Sequence, residues 1–181
     1  VSAAIEAGIA YVPEDRKNLG LNLLDSIRMT IVSANLKAIL TGRLLDRGKE
    51  LQAAEKSRTD LLIKTSTVNA GVTTLSGGNQ QKVVLAKWML TEPDVLILDE
   101  PTRGIDVGAK YEIYCVINEL AKSGKAVIVI SSEMPEIIGT CDRTYVINEG
   151  EIAGELSGDQ ITQEAIMSCI MAHNRKEEVE A

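Results

Sequence analysis

Phenylalanine is absent from this sequence, and aromatic residues make up only 3% of its 181 positions. The core must therefore be built from Leu, Ile, Val and Ala, and a hydrophobic fraction of 45% is sufficient for a globular domain. No apolar run approaches the roughly 20 residues of a membrane-spanning helix, so we expect any membrane contact to be peripheral. The chain begins at Val1 without a basic and apolar leader. We expect a trimmed part of a longer protein, not a secreted precursor.

Positive charge is also scarce, since the formal net charge is −7. Nucleic acid is not expected as a partner, because a phosphate backbone requires a basic surface. The three cysteines, Cys115, Cys141 and Cys169, are odd in number and form no CxxC pair, which argues against a zinc site. We expect buried thiols in a reducing cytosol.

Predicted strands and helices alternate along the chain. Short apolar runs bounded by breakers predict buried parallel strands at residues 8–13, 94–99 and 125–132. Helical spacing predicts helices at residues 25–40 (with Asp25 as N-cap), 46–64, 76–92 and 106–124, followed by a hairpin at 143–156 and a C-terminal helix and charged tail at 161–181. This alternation predicts an α/β fold with a mostly parallel sheet, whose ligands bind at the carboxyl ends of the strands.

Two adjacent acids follow the apolar run in VLILDEP, Val95–Pro101. Carboxylates at the end of a buried strand are costly without a positive partner, and in nucleotide hydrolysis that partner is Mg²⁺. Asp99 would hold the ion through water, and Glu100 would orient and deprotonate the attacking water. For this motif alone, a strand that merely ends in exposed acids is the alternative.

The octet LSGGNQQK, residues 75–82, predicts the start of a helix. Ser76 suits the N-cap, and Gly77 and Gly78 would leave backbone N–H groups open to a phosphate in the favourable field of the helix dipole. The alternative is an ordinary capped helix whose glycines allow tight packing. The octet alone does not decide between the two.

Both motifs lie in one stretch, residues 75–110, that resembles the signature-to-D-loop region of ABC ATPases. Residues 75–81 look like the signature, Asp99 and Glu100 like the Walker B acids, and TRGID like the D-loop. The resemblance implies a P-loop NTPase (ABC cassette) fold, with a helical signature subdomain at about residues 25–75 inserted in the α/β core. It also implies ATP and Mg²⁺ as ligands, with Glu100 catalytic and Asp99 on the metal. The residues expected at ATP are Ser76, Gly77, Gly78, Asn79, Gln80 and Asp106.

Three further segments are similar to the second cassette of the tandem ATPases of ribose/galactose-type bacterial monosaccharide importers: residues 8–21, 99–110 and 129–137. That resemblance implies an ATPase lying peripherally on the cytoplasmic face of the cell membrane. Its partners would be a second cassette, paired head to tail, a transmembrane permease subunit and, indirectly, a periplasmic sugar-binding protein. PEDRK, residues 13–17, would face the permease, a solvated charged turn being the alternative. The sequence does not name the sugar.

Several parts of a complete ABC site are missing. Neither Gly-Lys step of the sequence belongs to a GxxxxGK[ST] phosphate loop, so we expect that loop to precede Val1 and the isolated chain to be inactive. Ser132 stands where a switch histidine is usual, and the only histidine, His173, receives no role. Glu14 replaces the Q-loop glutamine and is a second candidate magnesium ligand.

Two other functions remain open at this point. A non-catalytic regulatory or dimerisation module is favoured by the missing histidine and opposed by the intact acid pair. A soluble ABC ATPase acting on DNA or ribosomes is opposed by the negative charge. A final expectation concerns residues 65–74, whose small polar side chains suggest a loosely packed hinge of the helical subdomain.

Overall fold

The computed structural model describes residues 1–180, and the side chains of residues 1–174. The chain divides into two compact units, Val1–Ile130 and Ser131–Ala181. The first unit contains α1 (Ser2–Glu6), β1 (Ile9–Val12), α2 (Ile27–Val32), β2 (Leu40–Thr41), β3 (Leu44–Leu45), α3 (Arg47–Asp60), α4 (Gly77–Met89), β4 (Val95–Asp99), α5 (Val107–Lys122) and β5 (Ala126–Ile130). The second contains α6 (Met134–Thr140), β6 (Arg143–Asn148), β7 (Glu151–Ser157) and α7 (Gln163–Glu180).

The first unit is built on a parallel sheet with the strand order β1-β4-β5. Side chains alternate between the two faces of such a sheet. One face is covered by helices, with α4 in contact with β1 and α5 in contact with β5. Its central side chains, each no more than 1% exposed, are Ala10, Val12, Leu96 and Leu98. The α/β fold and the parallel sheet predicted from the sequence are confirmed.

The other face of this sheet is open. Ile9, Tyr11, Ile128 and Ile130 are between 38% and 50% exposed, although β-branched and aromatic side chains of a parallel sheet are normally covered on both faces. Asp99 is the register partner of Ile130, so its side chain belongs to the same face. The open face therefore combines an apolar surface with one acid of the predicted site.

The helix predicted at residues 25–40 is wrong in two respects. Ser26, and not Asp25, is the N-cap, because the Ser26 hydroxyl accepts a hydrogen bond from the backbone N–H of Met29 at 3.2 Å. Helix α2 ends at Val32, since Asn35 turns away to donate its side-chain amide to the carbonyl of Leu90 at 2.9 Å. A short 3₁₀ turn over Leu36–Ile39 and the first residue of β2 occupy the end of the predicted helix.

Residues 65–74 are anchored, so the expectation of few packing contacts there is wrong. Val68 and Val72 are 0% exposed and belong to the main hydrophobic cluster. The backbone N–H of Ile27 also donates to the carbonyl of Ala70 at 2.9 Å. The segment is thus fastened to the first turn of α2 by both apolar burial and backbone bonds.

The second unit consists of α6, the antiparallel β6–β7 hairpin and α7, which contacts β7. A Cβ added to Gly154 of β7 would lie 2.6 Å from the Cys169 sulfur of α7, so the glycine allows this close contact. The hairpin extends to Ser157. The predicted charged tail is helical through Glu180, and Ala181 lies outside the described residues. Within the described part of the chain, no helix is long and apolar enough to cross a membrane.

Candidate active site

Asp99 is the last residue of β4, at the carboxyl end of the parallel sheet. Its carboxylate is half-buried and accepts a hydrogen bond from the Tyr11 hydroxyl at 2.6 Å. This bond raises the pKa of Tyr11, with smaller contributions from desolvation and from the negative charge of Asp99. Sequence reasoning did not find Tyr11, although the pairing of β1 with β4 places the two side chains on one face. The bond orients the Asp99 carboxylate across the open face of the sheet.

Glu100 leaves the strand in a different direction. Its φ angle of 44° lies in the left-handed region, which costs a residue other than glycine about 1–3 kcal/mol. The surrounding backbone maintains this geometry, since the Glu100 N–H donates to the Ile130 carbonyl at 2.8 Å. The Glu100 carbonyl in turn accepts from the N–H of Arg103 at 3.1 Å. Asp99 therefore ends a regular strand, whereas Glu100 begins a strained turn, and strain of this kind clusters at functional sites.

The predicted signature begins α4, with Ser76 as the N-cap residue. The exposed Ser76 hydroxyl bonds to no backbone N–H of the helix and instead accepts from the Asn79 side-chain amide at 3.0 Å. The side-chain Oδ1 of Asn79 accepts a hydrogen bond from the backbone N–H of Lys64 at 2.7 Å. The buried Gln80 side chain donates to the backbone carbonyl of Val72 at 3.2 Å. Asn79 and Gln80 thus both support the helix start from within the chain.

The two signature glycines are sites of close packing. A Cβ on Gly77 would lie 2.9 Å from Nη2 of Arg16 and 3.3 Å from the carbonyl oxygen of Gly104. A Cβ on Gly78 would lie 2.5 Å from the Cβ of Ala109. Within this chain, the two glycines therefore allow α4 to pack closely against Arg16, the D-loop and α5.

The predicted D-loop connects β4 to α5 and ends at Asp106. Asp106 is the exposed N-cap of α5, and its Oδ1 accepts from the backbone N–H of Ala109 at 3.0 Å. Ala109 is also the residue that leaves no room for a side chain at Gly78. The first turns of α4 and α5 therefore touch, which brings the signature and the D-loop together within the first unit.

The polar segment after β1 forms a π-helix over Arg16–Gly20. Asp15 caps it by accepting from the backbone of Lys17 and Asn18, and its side-chain bond to Asn18 is the main reason that the pKa of Asp15 is lowered. The cap directs Arg16 towards the D-loop, where Nη1 donates to the Arg103 carbonyl at 2.7 Å. Sequence reasoning did not find Arg16, because nothing local distinguishes it from other charged residues.

The remaining predicted residues are Glu14, Ser132 and His173. Glu14 forms an ion pair with the Arg103 side chain. Ser132 and His173 belong to the second unit, and Ser132 is exposed. The expectation of buried thiols is wrong for Cys115, which is exposed on α5, whereas Cys141 and Cys169 are partly buried.

A family model of the ABC transporter matches residues 2–103. The chain belongs to the ABC transporter family. The match contains the Arg16 segment, the signature and both acids of this ABC chain, and it ends within the D-loop.

Curated relatives of this ABC chain act in sugar transport. It is 56% identical over 167 residues to an L-arabinose transport ATP-binding protein of Geobacillus stearothermophilus, covering 92% of this chain and 33% of the relative. It is 52% identical to a xylose import ATP-binding protein of Geobacillus kaustophilus, with the same two coverages. It is 49% identical to a putative ribose/galactose/methyl galactoside import ATP-binding protein of Rhizobium meliloti, covering 96% and 35%. The chain thus spans about a third of the length of these relatives.

Solved ABC structures have the same fold. A putative metal-chelate type ABC transporter in an inward-facing conformation matches with a TM-score of 0.70 at 20% identity, covering 90% of this chain and 64% of the other. A dimeric ATP-binding cassette in a post-hydrolysis state, bound to ADP and phosphate, matches with a TM-score of 0.67 at 20% identity, covering 82% and 62%. The predicted ABC cassette fold is confirmed.

The site of this ABC chain offers oxygen ligands suited to magnesium. Mg²⁺ prefers oxygen and usually binds one or two carboxylates together with substrate phosphates and water. The half-buried Asp99 carboxylate at the strand end fits this pattern, whereas the Glu14 carboxylate is engaged by Arg103. Among the described residues, no group of three or more acidic, histidine or cysteine side chains could hold a metal ion. A magnesium ion held by Asp99 would therefore take its further ligands from outside the described residues.

Proposed function

We propose that this chain is the signature and Walker B part of an ATP-hydrolysing cassette in a bacterial monosaccharide importer. The observation that carries the proposal is the meeting of two motifs. The first turn of α4 lies against the D-loop, and the D-loop follows closely after Asp99 at the end of β4 and its neighbour Glu100. The high identity to arabinose and xylose transport ATP-binding proteins supports the sugar class.

In this proposal the two acids have separate tasks. Glu100 accepts a proton from the attacking water, and its strained turn fixes the direction from which it does so. Asp99 holds the magnesium ion through water, and Tyr11 keeps its carboxylate oriented. When bound, the ion neutralises charge on the β- and γ-phosphates. This division explains why two adjacent acids need different backbone geometries.

The open face of the sheet supports a phosphate loop supplied from outside this chain. An apolar face that carries Ile9, Tyr11, Ile128 and Ile130 would normally be covered. Asp99 is on that face, so a strand and helix packed there would bring bound phosphates to the carboxylate. The remaining length of the relatives, about two thirds, is ample for such a segment.

Two exposed surfaces fit the proposed protein partners. The Ser76 hydroxyl and the N-terminus of α4 are available to an ATP held by a partner cassette, because a helix N-terminus favours phosphate. Leu19 of the π-helix and Leu24 are 71% and 96% exposed, and Met29 of α2 is 45% exposed. These exposed apolar side chains support docking of a permease on the cytoplasmic side of the membrane, with a sugar-binding protein acting through the permease.

The test uses the full-length polypeptide reconstituted with its permease and sugar-binding protein in lipid vesicles. We expect ATP hydrolysis and uptake of one labelled pentose or hexose from a panel of arabinose, xylose, ribose and galactose. Gly77→Asp should abolish most of both activities, because an acid there disrupts the signature. Arg43→Gln, a change of an exposed arginine in the β2–β3 turn, serves as the control. Hydrolysis that no sugar stimulates, without uptake, would contradict the proposal.

A further inference from the structure

Arg16 connects three segments that are distant in sequence. Its Nη1 donates to the carbonyl of Arg103 at 2.7 Å and its Nη2 to the carbonyl of Gly104 at 3.2 Å. The same Nη2 occupies the position beside Gly77 where a Cβ would come within 2.9 Å. One guanidinium therefore touches the signature and the D-loop together, from a helix that follows β1.

The placement of this cation is unusual for a surface arginine. Arg16 is half-buried, and its Nε is buried without a hydrogen-bond partner among the described residues. Desolvation lowers the pKa of Arg16. Its guanidinium donates to two backbone carbonyls, so the contact fixes main-chain positions. Such a contact restrains a loop more firmly than a pair of flexible side chains does.

Arg103 connects Arg16 to Glu100, the proposed catalytic acid. Its carbonyl is held by Arg16, its side chain pairs with Glu14, and its N–H donates to the carbonyl of Glu100 at 3.1 Å. Glu100 has a left-handed φ of 44°. A shift of Arg103 would therefore act directly on the turn that sets the direction of the Glu100 side chain.

We infer that Arg16 is a positioning residue that fixes the start of α4 against the D-loop and, through Arg103, holds the Glu100 turn in place. This inference rests on the proposed function, because it gives Arg16 a role in ATP hydrolysis. It goes further by making the segment after β1 the part that sets the spacing between the signature and the acids. A displacement of this segment would then move the signature and the Glu100 turn together.

The kinetic experiment compares Arg16→Gln, Arg16→Lys and the control Arg43→Gln in the full-length protein with its permease. We expect Arg16→Gln to lower kcat on the order of 10–100-fold, because a displacement of the start of the signature helix by about 1 Å is enough to cost this much in rate, with the KM for ATP changed less than about twofold. Lysine can reach one of the two carbonyls, so Arg16→Lys should recover part of kcat. An unchanged kcat, or a rise in KM alone, would overturn the inference.

A second measurement does not depend on ATPase activity. Hydrogen exchange of the full-length protein should become faster at residues 103–106 and in the first turn of α4 in Arg16→Gln, and should not change there in Arg43→Gln. Unchanged exchange at both places overturns the inference. If wild-type protein fails to hydrolyse ATP while the exchange prediction holds, the proposed function is wrong and the role of Arg16 in fixing the two segments stands.

The contact with Gly77 gives a third, specific check. Gly77→Ala places a methyl group against the Arg16 guanidinium, so its effect on signature exchange should be smaller in the Arg16→Gln background than in the wild type. Two changes that act on one contact are not additive. Strict additivity of the two substitutions would show that Arg16 and Gly77 do not share a contact, and would overturn the inference.

Discussion

Gly78→Ala is the substitution whose effect on stability follows most directly from the structure. The new Cβ would lie 2.5 Å from the Cβ of Ala109, whereas carbon atoms in contact prefer about 3.5–4.0 Å. Both atoms are attached directly to a helix backbone, so no side-chain rotation relieves the overlap and α4 must move by at least about 1 Å relative to α5. Overpacking of this kind costs about 1–3 kcal/mol.

Gly108→Ala is the matched control, because Gly78 and Gly108 each occupy the second position of their helices. A Cβ on Gly108 would meet only Asp106 Oδ1, at an ordinary 3.6 Å. The two variants gain the same helix propensity, so the difference between their unfolding free energies reports the overlap. At about 2–4 °C per kcal/mol for a chain of this size, Gly78→Ala should melt about 2–12 °C below Gly108→Ala.

The assay is thermal and urea unfolding of the purified chain at low protein concentration. Adding Ala109→Gly to Gly78→Ala removes the opposing methyl group, so the double variant should lose less stability than the sum of the two single changes. Equal melting temperatures of Gly78→Ala and Gly108→Ala, or no gain in stability from adding Ala109→Gly, would show that Gly78 and Ala109 are not in close contact.

Three further predictions concern activity and reactivity. The isolated chain should bind ATP weakly and release no phosphate, because neither Gly-Lys step belongs to a phosphate loop; micromolar affinity by calorimetry with steady turnover would contradict this. In the full-length importer, Gly77→Asp should abolish most ATPase activity while Glu100→Gln costs half or less, because Ser132 replaces the usual histidine; equal losses would exclude this asymmetry. Iodoacetamide should label exposed Cys115 faster than Cys141, because burial raises the pKa of the Cys141 thiol and the thiolate is the reactive form; mass spectrometry showing the reverse order would contradict this.

The elements of the fold and site that the sequence predicts are specified by residues close together in the chain. β4 and β5 are unbroken apolar runs, and α5 begins at an N-capping Asp106, so each is specified by neighbouring residues. The acids at the end of β4 follow from the same local pattern. Their different backbone geometries do not, because the turn at Glu100 is fixed by a bond to Ile130 of another strand.

The unpredicted part depends on contacts between distant residues. Arg16 and Arg103 are 87 positions apart, and Tyr11 and Asp99 are 88 apart. Neither hydrophobic periodicity nor motif spacing predicts a contact between two residues so far apart in the sequence. The early end of α2 has the same origin, since a tertiary bond from Asn35 to Leu90 outweighs the helical pattern of the local sequence.

The open sheet has a consequence for the behaviour of the chain on its own. Within the described residues β5 pairs only with β4, so its outer edge presents unpaired backbone groups beside Ile128 and Ile130. Exposed apolar edges of this kind are templates for association with other chains. A strand that pairs with this outer edge of β5 would remove the unpaired groups and protect the sheet from such association.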